Sequence, residues 1–171
     1  MAEKQLRMIR RNLDSLPEVE IPDGYTLRAY QAGDEQVWAE IMSTGIGDWT
    51  TEKCREALTS QPQFLPDGLF FATFDGNPVG SACAWRKSPD EWKSGYLHMV
   101  CVLPEHRGKQ LGHMLTLAVL HYFHTHGFQE VWLDTDDFRL PAIKSYLRLG
   151  FEPYYFDDSH LERWKMILEK L

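Results

Sequence analysis

The stretch VLPEHRGKQLGHML, residues 102–115, runs from a strand-like apolar segment through a basic turn into what its spacing predicts to be a helix. A turn of this kind directs unpaired backbone amides and the positive end of a helix at one place, which favours a bound phosphate. Arg107 and Lys109 add positive charge, while Gly108 and Gly112 let a ligand approach the backbone. Taken alone, the stretch is equally compatible with a solvated turn whose glycines only fit the geometry.

Two familiar phosphate loops do not fit these residues. The dinucleotide pattern GxGxxG is absent. The Walker pattern fails because Gly108 and Lys109 are followed by Gln110 and lack the earlier glycine. A phosphate site at this turn would therefore belong to another class.

The spacing of apolar residues predicts strands and helices on both sides of this turn. GLFFATFDGNPVGSACAWRK predicts an antiparallel hairpin, because two strand-like runs flank a cluster of turn-forming residues. After the turn come a helix ending at Gly127, the strand EVWLDTDD, a short helix ending at Gly150 and the strand FEPYYF. A strand followed by a helix and another strand implies parallel pairing. The other predicted elements are the strands YTLRAY and SGYLHMVCVLPEHRG and the helices GDEQVWAEIMST and TTEKCREALTS.

Both ends of the chain are predicted to be helical. Apolar residues at helical spacing among basic ones predict a short amphipathic arm over residues 1–20, ahead of a single domain over residues 21–171. In the tail SHLERWKMILEKL, Ser159 and Glu162 have the spacing of a capping box, and the apolar residues after them form one helical stripe.

Composition limits the class of protein. The 171 residues suit one domain, and 43% hydrophobic with 25% charged residues is the balance of an ordinary globular protein. The net charge of -7, from 18 basic and 25 acidic residues, argues against nucleic acid as a partner. Three cysteines without metal-like spacing favour a cytoplasmic location. We expect no signal peptide and no membrane contact, because no apolar run is long enough for either.

VLPEHRGKQLG resembles the acyl-CoA loop of the GNAT superfamily of N-acyltransferases, whose pattern is [QR]-x-x-G-x-[GA] after a strand that ends in V-x-P. Arg107 takes the first place and Gly112 the last, but Gln110 stands where the family usually has glycine. Residues 133–151 resemble the family's next strand and helix, N-x-x-A-x-x-x-Y-x-x-x-G-F, although Arg139 replaces the asparagine. The matching residues of this second pattern are Ala142, Tyr146, Gly150 and Phe151.

The resemblance covers about residues 24–156 and implies an α/β fold with a mixed central β-sheet and helices on both faces. The C-terminal amphipathic helix would stand in place of the family's usual last strand. The implied activity is acetyl-CoA-dependent acetylation of a primary amine of a small molecule or of an amino terminus, by direct attack in a ternary complex and without a metal. A non-catalytic acyl-CoA-binding or regulatory domain and a purely structural protein are the alternatives. The tail helix is expected either to cover the sheet edge or to pack against a second copy in a homodimer, since an uncovered edge invites pairing.

The resemblance also assigns the coenzyme site. In this family the two central parallel strands splay apart and the pantetheine lies between them, which here assigns the backbone of Val100 and Val102 to that contact. Arg139, at the start of the second pattern, is assigned to the coenzyme as well. The pyrophosphate is assigned to the residues of the turn, namely Arg107, Gly108, Lys109, Gln110, Leu111 and Gly112.

Acetyl transfer to an amine requires a neutral amine, a stabilised oxyanion and a proton for the departing thiolate. Tyr146 occupies the family's acid position and is expected to supply that proton, although a tyrosine here could equally pack the helix onto the sheet. Strict alternation would place His98 on the same face as Val100 and Val102, and the arylalkylamine branch of the family has a histidine at the matching place. His98 is therefore the candidate base. The alternative is a structural histidine, with the amine deprotonated through a chain of waters.

Other polar clusters give weaker signals. Three histidines near the end of one predicted helix are better explained by solvation than by a metal, namely His121, His124 and His126. Asp134 and Asp136 end a predicted strand and could attract a cationic amine, whereas Asp137 is expected to cap the next helix. Cys101 alternates to the face opposite His98, so we do not expect it to be a nucleophile.

Overall fold

The computed structural model describes residues 4–171. Its strands are β1 Leu6–Arg10, β2 Tyr25–Ala29, β3 Leu69–Phe74, β4 Asn77–Trp85, β5 Ser94–Val102, β6 Glu130–Thr135 and β7 Glu152–Tyr154. Its α-helices are α1 Glu35–Ser43, α2 Thr51–Cys54, α3 Leu111–Thr125, α4 Leu140–Arg148 and α5 His160–Leu168. A π-helical turn, Arg55–Thr59, continues α2, and 3-10 turns cover Pro66–Gly68 and Pro104–His106. In the described part of the chain no helix is long and apolar enough to cross a membrane.

The strands form one mixed sheet in the order β2-β3-β4-β5-β6-β1-β7. Only the β5–β6 pair is parallel among the strand pairs of residues 4–171. The hairpin expected from residues 68–87 is confirmed as β3 and β4, and the parallel pairing across α3 is confirmed as β5 and β6. The expected mixed central sheet is therefore present.

The N-terminal segment departs from its prediction. Leu6–Arg10 is not a helix but a strand, and it lies between β6 and β7, antiparallel to both. A short apolar run of this kind fits both periods, and its place between two strands buries Leu6, Met8 and Ile9 completely. The predicted boundary at residue 20 places this segment in an arm ahead of the domain. The strand β1 is nevertheless hydrogen-bonded into the central sheet.

Helices cover both faces of the sheet, as expected. Alternate residues of β4 show this, because Ala82 and Ala84 belong to the core cluster under α3 whereas Cys83 belongs to the cluster under α1. The tail helix is confirmed as α5, and its Trp164 and Ile167 are buried in the α3 cluster. We call the two sides the α3 face and the α1 face.

Strands β5 and β6 pair only over their first residues. The last paired residues are Tyr96 and Trp132, although β5 continues to Val102 and β6 to Thr135. Beyond Tyr96 the two strands separate, and their facing backbone groups are free of sheet pairing. The splay implied by the family resemblance is therefore present.

A β-bulge interrupts β5 inside this splay. Met99 has a φ of 55°, and the register of β4 and β5 shifts at this point. His98 pairs with Cys83 and so lies on the α1 face, whereas Val100 and Val102 pack on the α3 face. The prediction that His98 shares a face with these valines is wrong, because an extra residue in the strand reverses the alternation.

The bulge also changes the position of Cys101. Its side chain packs in the α1-face cluster, on the same side as Cys83, the cross-strand partner of His98. The expectation that Cys101 lies opposite His98 is therefore wrong. The thiol donates to the carbonyl oxygen of Ile41 at 3.3 Å and lies in a buried environment.

Candidate active site

The turn between β5 and α3 presents a row of unpaired amides. Within residues 4–171, the backbone N–H groups of residues 108–113 have no hydrogen-bond acceptor. The first intrahelical bond of α3 runs from the amide of Met114 to the carbonyl of Gln110, at 2.9 Å. Free amides at the start of a 15-residue helix form a binding site for an anion. The turn therefore has the geometry expected of a pyrophosphate site.

Backbone conformation explains the glycines of this turn. Gly108 has a φ of 76° and Gln110 a φ of 63°, both in the left-handed region. Glycine adopts this region without a steric penalty, which is a physical reason for glycine at the position that Gln110 fills. A Cβ atom added at Gly112 would meet no other atom within 4 Å, so the backbone there faces open space.

A cavity of about 500 Å³ begins at this turn and runs between β5 and α4. Its walls include Val100, Val102, Gly112 and Ala142, and it reaches Tyr146. A volume of this size suits a small-molecule ligand or part of a larger one. The cavity and the free amides together fit an elongated ligand that carries a phosphate group.

The two basic side chains of the turn have local partners. Arg107 donates from Nε to the carbonyl of Val102 at 2.9 Å and from Nη2 to the carbonyl of Thr44 at 3.5 Å. Lys109 places its Nζ 5.8 Å from the centre of the Tyr25 ring. Both side chains are exposed, so their charge remains available to an anionic ligand.

A second cavity of about 270 Å³ lies on the other side of the splay. His98, Asp134, Asp136 and Arg139 contribute to its walls. Val100 and Tyr146 line both cavities. The two spaces therefore meet beside the Tyr146 side chain.

Tyr146 lies in the second turn of α4 and is 7% exposed. Its ring packs edge-on against Phe151, with ring centres 5.9 Å apart. Burial raises the pKa of Tyr146 to about 12, although the charge of Arg139 acts against this rise. Its hydroxyl makes no hydrogen bond to any described residue, and it is consequently free to donate to a ligand.

His98 is enclosed by aromatic rings. It stacks on Trp85 with ring centres 5.5 Å apart, and the Tyr96 ring centre lies 6.0 Å away. Burial lowers the pKa of His98 to about 4. The imidazole is therefore neutral at physiological pH. It lines the same cavity as Tyr146, so the structure brings the two candidate catalytic residues together.

An ion pair that the sequence did not reveal holds Asp134, which lies in the wall of this second cavity. Arg7 of β1 donates to Asp134 of β6 at 2.7 Å, and the Tyr96 hydroxyl donates to the same carboxylate at 2.5 Å. Burial alone would raise the pKa of Asp134, but the hydrogen bonds from Arg7 and Tyr96 leave that pKa lowered. Arg7 could be found only once its segment was known to be a strand beside β6.

The other aspartates also form ion pairs. Asp136 accepts from Nε of Arg139 at 3.0 Å, and Arg139 donates a second bond to the carbonyl of Gly45 at 2.9 Å. Arg139 lines the second cavity and not the first, so its role toward the coenzyme stays a prediction. Asp137 pairs with Arg163 of α5, and the expectation that it caps α4 is wrong.

The three histidines at the end of α3, His121, His124 and the C-cap residue His126, have protein partners or contact solvent. Nε2 of His121 lies 2.6 Å from the carbonyl of Pro17, and Nδ1 of His126 lies 2.8 Å from the carbonyl of Tyr122. Across residues 4–171 no group of three or more histidine, cysteine or acidic side chains is arranged to hold a metal ion.

Comparison with known proteins identifies the family. The sequence model described as the acetyltransferase (GNAT) family matches residues 35–151, more than half of the chain. The chain belongs to the GNAT family of acetyltransferases. The match includes the turn before α3 and the whole of α4, so it covers the residues that form the two cavities. The GNAT fold expected from the sequence is confirmed.

Proteins named mycothiol acetyltransferases are similar to this chain in sequence. The chain is 38% identical to a mycothiol acetyltransferase of Thermomonospora curvata, over 89% of this chain and 52% of that protein. It is 31% identical to a mycothiol acetyltransferase of Rhodococcus erythropolis, over 92% of this chain and 57% of that protein. The chain thus spans about half the length of the curated relatives it matches.

Solved structures support the GNAT fold. A GCN5-related N-acetyltransferase from Sphaerobacter thermophilus superposes with a TM-score of 0.73 at 24% identity, over 89% of this chain and 50% of that one. The protein Rv2747 from Mycobacterium tuberculosis, solved in complex with CoA and NLQ, has a TM-score of 0.61 at 17% identity, over 84% of this chain and 81% of that one. At these identities the likeness shows the fold alone.

Proposed function

We propose that this chain transfers an acetyl group from acetyl-CoA to a primary amine, by direct attack while both substrates are bound. The observation that carries the proposal is the meeting of two cavities at Val100 and Tyr146, inside the splay of β5 and β6. One cavity begins at an anion-binding turn, and the other is lined by a neutral histidine and paired carboxylates. Two substrates can therefore approach one hydroxyl from opposite sides.

The coenzyme fits the first cavity. The free amides of residues 108–113 would hold its diphosphate, and the charges of Arg107 and Lys109 would add attraction. Backbone groups of Val100 and Val102 that are not paired with β6 would hydrogen-bond the pantetheine, although the Val102 carbonyl already accepts from Arg107. When bound, the thioester supplies an activated acetyl group and a thiolate leaving group.

Tyr146 would act as the acid. Its raised pKa keeps the hydroxyl protonated throughout the neutral range. A thiolate expelled into the same buried space is desolvated, which raises its pKa above the ordinary value near about 8.5, so it takes the proton from the hydroxyl as it leaves. The hydroxyl has no competing partner within the described residues. Free amides of the splayed strands would stabilise the transient oxyanion.

His98 would accept the proton of the amine. Because its pKa is about 4, the ring is already neutral and needs no deprotonation at physiological pH. A base of this strength acts best on an amine whose own pKa is lowered in a partly enclosed cavity. Deprotonation through water held by Tyr96 and backbone carbonyls is the alternative route.

The names of the relatives suggest an acceptor. Proteins called mycothiol acetyltransferases match about nine tenths of this chain, and we propose that its acceptor is a mycothiol-related small-molecule amine rather than a protein amino terminus. Three free, buried cysteines support a cytoplasmic location as part of the proposal. Leu161, Met166 and Leu168 of α5 are exposed and support the homodimer, which also stays a proposal.

The proposal is tested by thiol release from acetyl-CoA in the presence of a panel of primary amines that includes a mycothiol-related amine. We expect release that depends on one class of amine and yields the acetylated product by mass spectrometry. Calorimetric binding of CoA without release for any amine would favour the non-catalytic acyl-CoA-binding domain. Absence of both binding and release would exclude both functions.

A further inference from the structure

A serine–histidine pair lies in the wall of the coenzyme cavity, away from Tyr146. His113 stands in the first turn of α3, and Ser145 stands in α4. Nδ1 of His113 and the hydroxyl oxygen of Ser145 are 3.0 Å apart, a hydrogen bond that joins the two helices. Both residues line the cavity of about 500 Å³. Neither of them has a role in the proposed acetyl transfer.

The pair tolerates both charge states of the imidazole. A serine hydroxyl can donate to a neutral ring nitrogen, and after rotation it can accept from a protonated one. Nε2 of His113 makes no hydrogen bond to any residue from 4 to 171. Ser145 therefore fixes the ring by one nitrogen and leaves the other for a ligand.

The charged side chains that line the coenzyme cavity beside His113 favour an anion, because they are all basic. Lys144 and Arg148 of α4 line the same cavity, and Lys109 faces the adjoining cavity of about 900 Å³, which His113 also lines. The acidic residues of the adjoining cavity are Glu18, Glu20 and Asp23. The remaining basic residues of the coenzyme cavity are His106 and Arg107. Burial, and then the charge of Arg148, lower the pKa of His113. A neutral ring in a positive environment gains a proton readily once an anion binds beside it.

We propose that His113, oriented by Ser145, takes a proton from solution when the coenzyme binds and pairs through Nε2 with its diphosphate. The affinity of the chain for the coenzyme then rises as the pH falls from about 8 to about 6. The inference rests on the proposed function, because it takes coenzyme A as the ligand.

The test must distinguish protonation of the ligand's own phosphate groups from protonation of His113. The 3′-phosphate of coenzyme A is a monoester that itself gains a proton near about pH 6, which would weaken its attraction as the pH falls. Dephospho-CoA lacks this monoester and keeps the diphosphate. A pH dependence measured with dephospho-CoA consequently reports the protein.

The experiment is calorimetric titration with dephospho-CoA and CoA at about pH 6, 7 and 8, in two buffers with different ionisation enthalpies. For the wild type we expect an affinity at least about threefold higher at pH 6 than at pH 8, with net proton uptake on binding. His113→Gln should flatten the profile and abolish the uptake. Ser145→Ala should reduce the slope and leave the affinity at pH 8 nearly unchanged. His124→Gln, an exposed histidine of the same helix, is the control and should keep the wild-type slope.

Three results would overturn the inference: a wild-type profile without slope, a slope that persists in His113→Gln, or a slope that disappears in His106→Gln instead. His106 is the competing histidine because it lines the same cavity, where its Nδ1 lies 2.8 Å from the Tyr25 hydroxyl. Binding without a His113-dependent slope would refute this inference and leave the proposed function standing. Failure of the wild type to bind either ligand would refute both.

Discussion

Val100 of β5 and Tyr146 of α4 face each other across the point where two cavities meet. Val100 is there because β5 leaves its partner strand after Tyr96, and Tyr146 is there because α4 packs over the gap. The valine offers backbone groups that are not paired with β6, and the tyrosine offers a hydroxyl without a hydrogen bond to any of residues 4–171. A thioester held between them would have a hydrogen-bond donor at its sulfur and an open approach for an amine.

Replacement of Tyr146 by phenylalanine separates chemistry from packing. Because the ring is retained, Tyr146→Phe should keep the unfolding midpoint and the CoA affinity. It should lower kcat by about 100-fold, since an acid for the leaving group acts only in the transition state. Steady-state kinetics and calorimetry measure the two effects. Tyr155→Phe, at a side chain 52% exposed, is the control and should not change either quantity. Equal losses of stability and turnover in Tyr146→Phe would show a packing role instead.

The lowered pKa of His98 predicts how stability varies with pH. The unfolded chain has the ordinary histidine value of 6.5 and the folded chain a value of about 4. Between these values the unfolded state binds more protons, so the free energy of unfolding falls as the pH decreases through this window. Urea unfolding at about pH 4.5, 5.5 and 7 should show a shallower fall for His98→Gln than for the wild type. His124→Gln should keep the wild-type fall, and identical slopes in all three proteins would contradict the burial of His98.

The same pKa bears on the rate of acetylation. His98 is neutral above about pH 5, so a rise of kcat near neutral pH would report the amine and not this histidine. His98→Gln should therefore lower turnover by a similar factor at every pH from 6 to 9, on the order of tenfold to 100-fold. Wild-type turnover in this variant would favour deprotonation through water.

Charge reversal in the turn tests the anion site. The double substitution Arg107→Glu and Lys109→Glu should weaken CoA binding at least about tenfold, because a diphosphate loses attraction and meets repulsion at its own site. The effect should be smaller at high salt, since both side chains are exposed. Lys165→Glu in α5 with Lys170→Glu just after it makes the same change of net charge and is the control. Equal affinity losses in the two double variants would attribute the effect to net charge alone.

Gln110 offers a test of backbone strain. Its left-handed conformation costs a residue other than glycine about 1–2 kcal/mol, so Gln110→Gly should raise the free energy of unfolding by about 1 kcal/mol. CoA affinity should be retained, because the amide stays in place. Lys109→Gly is the matched control: Lys109 has no positive φ, and glycine there should lower stability. Destabilisation by Gln110→Gly would show that the Gln110 side chain makes a contact that outweighs the strain.

Most of the fold could be predicted from local patterns. The hairpin follows from its turn residues, and the β5–α3–β6 unit follows from the change between strand and helix periods. The turn and Tyr146 could be assigned because short motifs with fixed spacing carry them. Strand β1 could not be predicted, because its place between β6 and β7 depends on partners more than 100 residues away.

The candidate site was predicted less completely than the fold. The bulge at Met99 has no local signature, yet it moves His98 to the α1 face and separates it from Val100. The Arg7–Asp134 pair is equally hidden, because two strands from opposite ends of the chain bring its members together. Such features depend on tertiary pairing, which single-sequence patterns do not encode.

A crystal structure of the chain with bound coenzyme A tests the central claim most directly. We predict diphosphate oxygens about 3 Å from the free amides of residues 108–113. The coenzyme sulfur should lie beside Val100, within about 3–4 Å of the Tyr146 hydroxyl, which is hydrogen-bond reach for a sulfur acceptor. A coenzyme whose sulfur lies outside the splay of β5 and β6, beyond the reach of Tyr146, would contradict the account.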